Sequence, residues 1–403
     1  MELKKLRIAV VSDLHCHPER AEYSKNNSYL FSDKLRSPNN EHPVENLLEL
    51  IKKESLQVDL VLSPGDFTDH CDKQGFLSGW SYVNEISQAL KAKDVVATIG
   101  NHDVDSRHIY SQYSFDIAKK IKQNFPLKEE QILKDFWANG YAFIEEQDYQ
   151  ILVINSTHFH THYNKENEIE NPAIKGKIDL TQVEEIEKYL IVNNNPSKIK
   201  ITLCHHHPVD HSRFGLGEHD VIENGQELMN VLGKHKFDLI IHGHKHDPWL
   251  RYINTSSGFL LPILSSGSFS ATNQIIFTTK FNYFHIIEIQ KDSQSLSTGK
   301  IDTLTYKNKI GWKRDKDDGF YPYTGFGFLD DLNIIVDEIE EIMSNFEVTK
   351  WEFILSKIPS IENLIPDKIE ELQDRLKLKK IYLSGKIGLK PLHIYKSVED
   401  ENR

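Results

Sequence analysis

Five apolar runs of strand length each end on a short phrase of Asp, Asn or His, and no other feature limits the fold of this chain as much. The runs are Leu6 to Val11, Val58 to Leu62, Val95 to Ile99, Ile199 to Cys204 and Phe237 to Ile241. The phrases that follow them are Asp13-Leu14-His15, Gly65-Asp66-Phe67-Thr68-Asp69, Gly100-Asn101-His102-Asp103, His205-His206-His207-Pro208 and Gly243-His244-Lys245-His246. Short, mostly branched apolar runs of this kind read as buried strands of a parallel sheet. Open α/β sheets place their binding crevices at the carboxyl ends of such strands, so the five phrases are expected to meet along one edge.

Between the runs the pattern changes to helical spacing. Val44, Leu47, Leu48 and Ile51 stand at i, i+3, i+4 and i+7. Trp80 to Leu90 and Ile109 to Ile121 read as further helices, and Gln226 to Leu232 as another. Thr181 with Glu184 has the form of a capping box. Gln150 to Asn155, Leu260 to Ser270 and Phe281 to Gln290 read as strands. Short strands alternating with helices argue for an α/β core over an all-β barrel. The stretch from Cys16 to Pro43, rich in Ser, Asn, Glu and Pro, reads as a long loop over the active edge.

A chain of 403 residues is too long to be comfortable as one compact unit. The character changes near Lys300, and an aromatic and glycine-rich stretch, Gly319 to Phe328, follows a charge run from Lys313 to Asp318. The expected organisation is a catalytic domain over residues 1–300 and a mainly helical extension over 319–403. In the extension Leu332, Ile335, Val336, Ile339, Ile342, Met343 and Phe346 form a helical stripe, expected as core more than as recognition surface. Trp351 to Ile358 and Pro366 to Leu378 read as helices, and Ile381 to Tyr395 as a strand pair.

The apolar runs fall far short of the ~20 residues needed to cross a bilayer. The segment after Met1 to Lys5 is cut by Asp13 and His15, so it reads as a strand and not as a leader. Three scattered cysteines point to no disulfide framework, and a cytoplasmic setting is expected. A net charge of −12 argues against a broad nucleic-acid surface. Bound cations can still draw an anionic substrate to an acidic chain.

A hydrolytic centre of two cations needs a carboxylate that reaches both, with oxygen and imidazole donors around each. Asp66 is the natural bridge. Asp13, His15 and His246 complete one cation, and Asn101, His205 and His244 the other. Donors of O and N without thiolate suit manganese, iron, zinc or magnesium, with manganese placed first. Between two such ions water becomes available as hydroxide near neutral pH. His102 stands beside a ligand yet free of metal, placed to give a proton to the leaving oxygen, and Asp69 is placed to orient it. Asp103 reads as structural. His158, His160 and His162 read as a solvated loop over the pocket more than as a further metal site. His17, Asp210 and His211 rise no further than proximity, and the lysines from Lys377 to Lys396 read as a solvated face.

In this order, D-x-H, G-D-x-x-D, G-N-H-D, H-H-H-P and G-H-x-H, the phrases resemble those of the calcineurin-like metallophosphoesterases. The triple histidine before Pro208 and Gly-Asn-His-Asp are most similar to the class III cyclic-nucleotide phosphodiesterase branch. The resemblance covers roughly residues 6 to 290. It implies a four-layer α/β/β/α sandwich of two mixed sheets, metals at the strand ends, the ligand roles given above, and His102 with Asp69 as the acid pair. His205 matches the first histidine of the family's phrase, although spacing alone leaves His206 and His207 open. The expected activity is hydrolysis of a phosphodiester by a hydroxide bridging two metals, with a small nucleotide-type substrate. A DNA or RNA nuclease and a protein or phosphomonoester phosphatase are the alternatives within the enzyme class. Outside it stands an effector whose C-terminal helices bind a protein partner or a second copy.

Overall fold

The structure, a computed structural model, describes residues 3–19, 27–36, 41–121, 124–162, 175–210, 212, 220–272, 281–291, 296–315, 320–384 and 390–397. His211, Lys386 and parts of the 16–43 loop and the 313–318 charge run lie outside the described residues.

Two sheets carry the first part of the chain. The strands in chain order are β1 (Lys4–Val10), β2 (Leu60–Ser63), β3 (Asp94–Ala97), β4 (Tyr141–Glu145), β5 (Tyr149–Ile154), β6 (Ile199–Leu203), β7 (Leu239–His242), β8 (Trp249–Asn254), β9 (Leu260–Ser265), β10 (Asn282–Lys291), β11 (Thr298–Lys307), β12 (Gly311–Lys313) and β13 (Tyr323–Phe326). The first sheet has seven strands in the order β12-β11-β10-β1-β2-β3, with β13 also on β11; the second has six in the order β4-β5-β6-β7-β9-β8. Both are mixed. β1, β2 and β3 run parallel, as do β5, β6, β7 and β9, while β10 joins β1 antiparallel with Ile8 opposite Ile287.

The alternation of side chains along the second sheet shows the layering. Ile151, Val153, Ile201, Leu203, Leu239 and Ile241 enter the cluster they share with Ile8, Val10, Ile287 and Ile289 of the first sheet. Leu152, Ile154 and Ile240 point the other way, onto Val183, Ile186, Leu190, Leu228 and Leu232. Those partners lie on two helices, Leu180–Val192 and Gly225–Lys234. Helices Pro43–Glu54 and Lys73–Ala89 cover the outer face of the first sheet, with Val44, Leu47, Ile51, Phe76, Trp80 and Val83 buried. The result is the expected sandwich of helices, two sheets and helices. Period-2 burial on a two-sided sheet is what makes the apolar runs continuous.

Residue 300, where the sequence changes character, lies inside β11, and the first sheet continues through β13. The C-terminal region then packs its own core. Helices Leu332–Met343, Trp351–Lys357 and Pro366–Leu378 stand with a three-stranded antiparallel sheet, β14 (Val348–Lys350), β15 (Ile381–Ser384) and β16 (His393–Lys396). The stripe expected as core is core at Leu332, Ile335, Val336, Ile339 and Met343, joined by Trp351, Leu372 and Leu376. Phe346, at its end, is exposed. Among the described residues no helix is long and apolar enough to cross a membrane.

Two helix expectations shift for local reasons. The pattern over Ile109 to Ile121 yields helix only at Asp116–Lys120. The Asp105 carboxylate takes the backbone N–H groups of Ile109, Tyr110 and Ser111 at 2.8, 2.7 and 2.9 Å, and this side-chain capture replaces the first turns. The capping box sits two residues earlier than Thr181 and Glu184. Asp179 accepts from the Thr181 N–H at 2.8 Å and Gln182 returns to the Asp179 N–H at 2.7 Å.

Candidate metal centre

All five phrases leave the carboxyl ends of parallel strands, β1, β2 and β3 from one sheet and β6 and β7 from the other. Backbone bonds tie the first two together, from Asp13 N–H to Gly65 O and from His15 N–H to Asp66 O, both 3.0 Å. The glycine that opens a phrase permits close approach. A Cβ on Gly100 would strike Asp66 Oδ1, and one on Gly243 would strike Asp13 Oδ2. Five ligand candidates, Asp13, His15, Asp66, His244 and His246, hold φ angles of 54°, 49°, 56°, 83° and 57°. This left-handed conformation is rare for residues with a side chain, and it swings the side chains into the gap between the sheets.

The side chains gather on two sides of Asp66. His15 Nε2 and His246 Nε2 face each other at 2.9 Å, and His246 Nε2 lies 3.5 Å from Asp13 Oδ1. Asp13 is fully buried. On the other side Asn101 Oδ1 is 3.0 Å from both His205 Nε2 and His244 Nδ1. Asp66 lies between, its Oδ2 3.6 Å from His15 Nε2 and 3.4 Å from His205 Nε2. That oxygen is buried and has no hydrogen-bond donor, a costly state for a carboxylate unless a cation meets it. Ring nitrogens and carboxylate oxygens of Asp13, His15 and His246, and likewise of Asp13, Asp66 and His205, lie within 4.8 Å of one another. An all-O/N donor set of this kind fits hard or borderline divalent ions.

Supporting groups fix the ligands. His205 Nδ1 is 2.9 Å from the Pro64 carbonyl oxygen, which can only accept, so Nδ1 carries the proton and Nε2 turns a lone pair to the site. His244 gives its second nitrogen to Asp220 Oδ1 at 3.0 Å. His206 turns away: its Nδ1 meets Ser156 Oγ at 2.8 Å. Asp103 is the structural brace expected of it, taking the backbone N–H groups of Asp66, Gly100, Phe67 and Thr68 at 2.8, 2.9, 2.7 and 3.1 Å. Burial and the neighbouring Asp66 charge push its carboxyl up to about 7.

His102 and Asp69 form a pair at the rim, with Nδ1 to Oδ1 at 2.9 Å. Burial pulls the His102 ring down, but the Asp66 charge and the Asp69 bond outweigh it and raise the ring to about 9. Asp69 is held well below the carboxylate range: burial pushes it up, and its bonds to His102 and His70 prevail. His15 also reaches Asp69, at 4.0 Å, so one carboxylate touches both the cluster and the acid candidate.

Two contributors, Asn27 and Asp220, carry no local sequence signal. Asn27, from the 16–43 loop, donates Nδ2–H to Asp69 Oδ2 at 3.0 Å. Asp220 stands far along the chain from the ring it holds. His160 is buried rather than solvated, its Nδ1 2.7 Å from Ser106 Oγ and its Nε2 3.1 Å from the Lys175 carbonyl oxygen. His17 is likewise a loop brace, bonded to the Pro18 carbonyl oxygen at 2.6 Å and to the Asn27 N–H at 3.2 Å. Asp210 is exposed.

Comparison with known proteins agrees with this geometry. Residues 6–248 match the model of the calcineurin-like phosphoesterases. Residues 324–378 match the model described as wHTH-Calcineurin_assc. A probable cyclic nucleotide phosphodiesterase of Xenorhabdus bovienii is 20% identical over 253 residues, covering 62% of this chain and 83% of the relative. Among solved structures, a dimetal phosphatase from Danio rerio shares 13% identity over 75% of this chain and 99% of its own, with a TM-score of 0.46. A purple acid phosphatase from yellow lupin shares 14% over 77% of this chain and 53% of its own, with a TM-score of 0.43. The family match spans more than half the chain and contains all five phrases, and by it the chain belongs to the calcineurin-like phosphoesterase family, hydrolases of phosphoric esters.

Proposed function

We propose that the protein hydrolyses phosphodiesters of small nucleotide type at a centre of two divalent cations, manganese first among them. The observation that carries this reading is the buried, donorless Asp66 Oδ2 between His15 and His205. In it Asp66 would serve both cations, with Asp13, His15 and His246 as the further donors to one and Asn101, His205 and His244 to the other. When bound, the cations supply an acidified water as nucleophile and positive charge against the phosphoryl oxygens. The protein's own part is to aim the donors, to orient His102 and favour its protonated form through the bond to Asp69, and to deliver that proton to the departing ester oxygen. The 20% identity to a probable cyclic nucleotide phosphodiesterase supports the nucleotide class. Three buried free cysteines suit a reducing, cytoplasmic setting.

Removing metal tests the centre directly. Chelation is expected to abolish release of p-nitrophenol from bis(p-nitrophenyl) phosphate, and two equivalents of manganese to restore it. Elemental analysis that finds one ion or none in fully active protein would sink the two-metal reading. Cyclic nucleotides, nucleotide diesters, DNA and a phosphomonoester tested side by side then set the substrate class.

The 324–378 match favours one second reading, in which the C-terminal region brings nucleic acid to the site. Its charge opposes that. The segment holds thirteen acidic and five basic side chains. On its last helix Lys368 and Arg375 pair with Glu371, and Lys377 with Asp374. Phosphate binding needs cations free to replace counterions. We expect no measurable retention of duplex DNA at 50 mM salt; tight binding with a steep salt slope would restore the nuclease reading.

A further inference from the structure

Next to the acid candidate the surface opens into a cleft of about 190 Å³ whose walls include Asn101, His102, Arg107, Ile109, Tyr110 and His160. One wall is the segment 105–114, where the expected helix failed to form. It is built as a rigid arm. Asp105, 4% exposed, collects three of its backbone N–H groups, and its own N–H reaches the Ser114 carbonyl oxygen at 3.1 Å. Ser106 Oγ and Ser114 Oγ then fasten the arm to His160, at 2.7 Å to the ring and 3.1 Å to the carbonyl oxygen.

This construction leaves apolar side chains in water. Ile109 is 68% exposed and Tyr110 61%, with Tyr113 beyond them at 40%. Singly exposed apolar residues are ordinary. Neighbouring ones on an arm held by a buried carboxylate, along the rim of a cleft that contains His102, are a surface prepared for something flat and apolar. Arg107, on the same rim, is exposed and has no ion partner among the described residues. The size of the cleft also decides. Pockets that take whole drug-sized ligands run to roughly 300–1,000 Å³, so this one has room for a single ring system and not for a longer moiety.

We propose that segment 105–114 is the base-recognition arm of the enzyme, on which Tyr110 stacks the heterocyclic ring of a nucleotide ester, with Ile109 extending the platform and Arg107 giving it a positive rim. The inference rests on the phosphodiester reading above and names its specificity element. The stacking partner is sequence-tolerant, because every base presents a π face. Selection by the arm therefore falls between esters with and without a ring on the group that stays with phosphorus, and not among bases.

Two substrates with the same leaving group isolate the arm: the p-nitrophenyl ester of thymidine 5′-monophosphate and methyl p-nitrophenyl phosphate. In the metal-loaded wild type kcat/KM favours the nucleoside ester. Tyr110→Ala lowers that preference about tenfold, chiefly through KM, as loss of one stacking contact of about 1.4 kcal/mol implies. Tyr110→Phe keeps it within about twofold. Tyr110 is exposed, so neither change threatens the fold. An unchanged preference in Tyr110→Ala overturns the arm. Wild-type protein that cleaves neither ester overturns the phosphodiester reading instead, and calorimetric binding of thymidine 5′-monophosphate then judges the arm separately. A tenfold loss of affinity in Tyr110→Ala upholds it, and equal affinity overturns it.

Discussion

Asp66→Asn is expected to lower kcat/KM for bis(p-nitrophenyl) phosphate by about 10³-fold or more, the scale of losing a principal charge-stabilising element of the centre. The change is nearly isosteric. The retained Oδ1 still accepts the His102 N–H, a bond of 2.8 Å that ties the second phrase to the third, so the thermal midpoint of the metal-free protein should move by no more than a few degrees. What changes is the other atom. An amide nitrogen replaces the oxygen that faces His15 Nε2 and His205 Nε2 at 3.6 and 3.4 Å. It has neither the lone pair nor the charge to hold a cation. Metal content should fall below two ions per chain in step with activity. Two bound ions together with wild-type turnover would remove Asp66 from the centre.

His102→Gln separates the acid from the metals. Its loss should depend on the leaving group: under tenfold for p-nitrophenolate, which departs without a proton, but about 10²- to 10⁴-fold for the sugar oxygen of a cyclic nucleotide. Bound metal should be unchanged, because the ring bonds Asp69 and the backbone N–H that holds Asp66 is kept. Equal losses on both substrates would make His102 a positioning group. The Asp69 carboxylate at its Nδ1 favours the protonated ring, which is what an acid waiting for an alkoxide requires. Asp69→Asn should follow the same pattern with a smaller loss.

The strands and their phrases were legible in the sequence because a strand buried on both faces leaves a mostly apolar, branched run, as at Ile199 to Leu203 where Lys200 and Thr202 are the interruptions, and the polar cluster that follows has no packing reason to be there. The layers of the sandwich came from the resemblance. The parts that escaped depend on distance along the chain. Nothing near Asn27 marks it as a partner of Asp69, and Asp220 meets His244 only once the helix Gly225–Lys234 and β7 between them have folded. The 109–121 pattern misled because periodicity records which face is apolar but not whether a buried carboxylate captures the backbone first. β11 was missed because its residues alternate in burial, so that Lys300 and Asp302, half-buried beside Ile301, look like the start of a surface region.

The left-handed backbone at Asp13, His15, Asp66, His244 and His246 bears on how this protein can change over time. Each of these positions would be more comfortable as glycine, by something on the order of 1 kcal/mol. Selection for heat resistance alone would therefore erode the centre, because the substitutions that relax the chain are those that remove its ligands. Function is what keeps these side chains where conformational ease would discard them, and a thermostable descendant must gain its stability elsewhere, in the helices and cores that the chemistry does not touch.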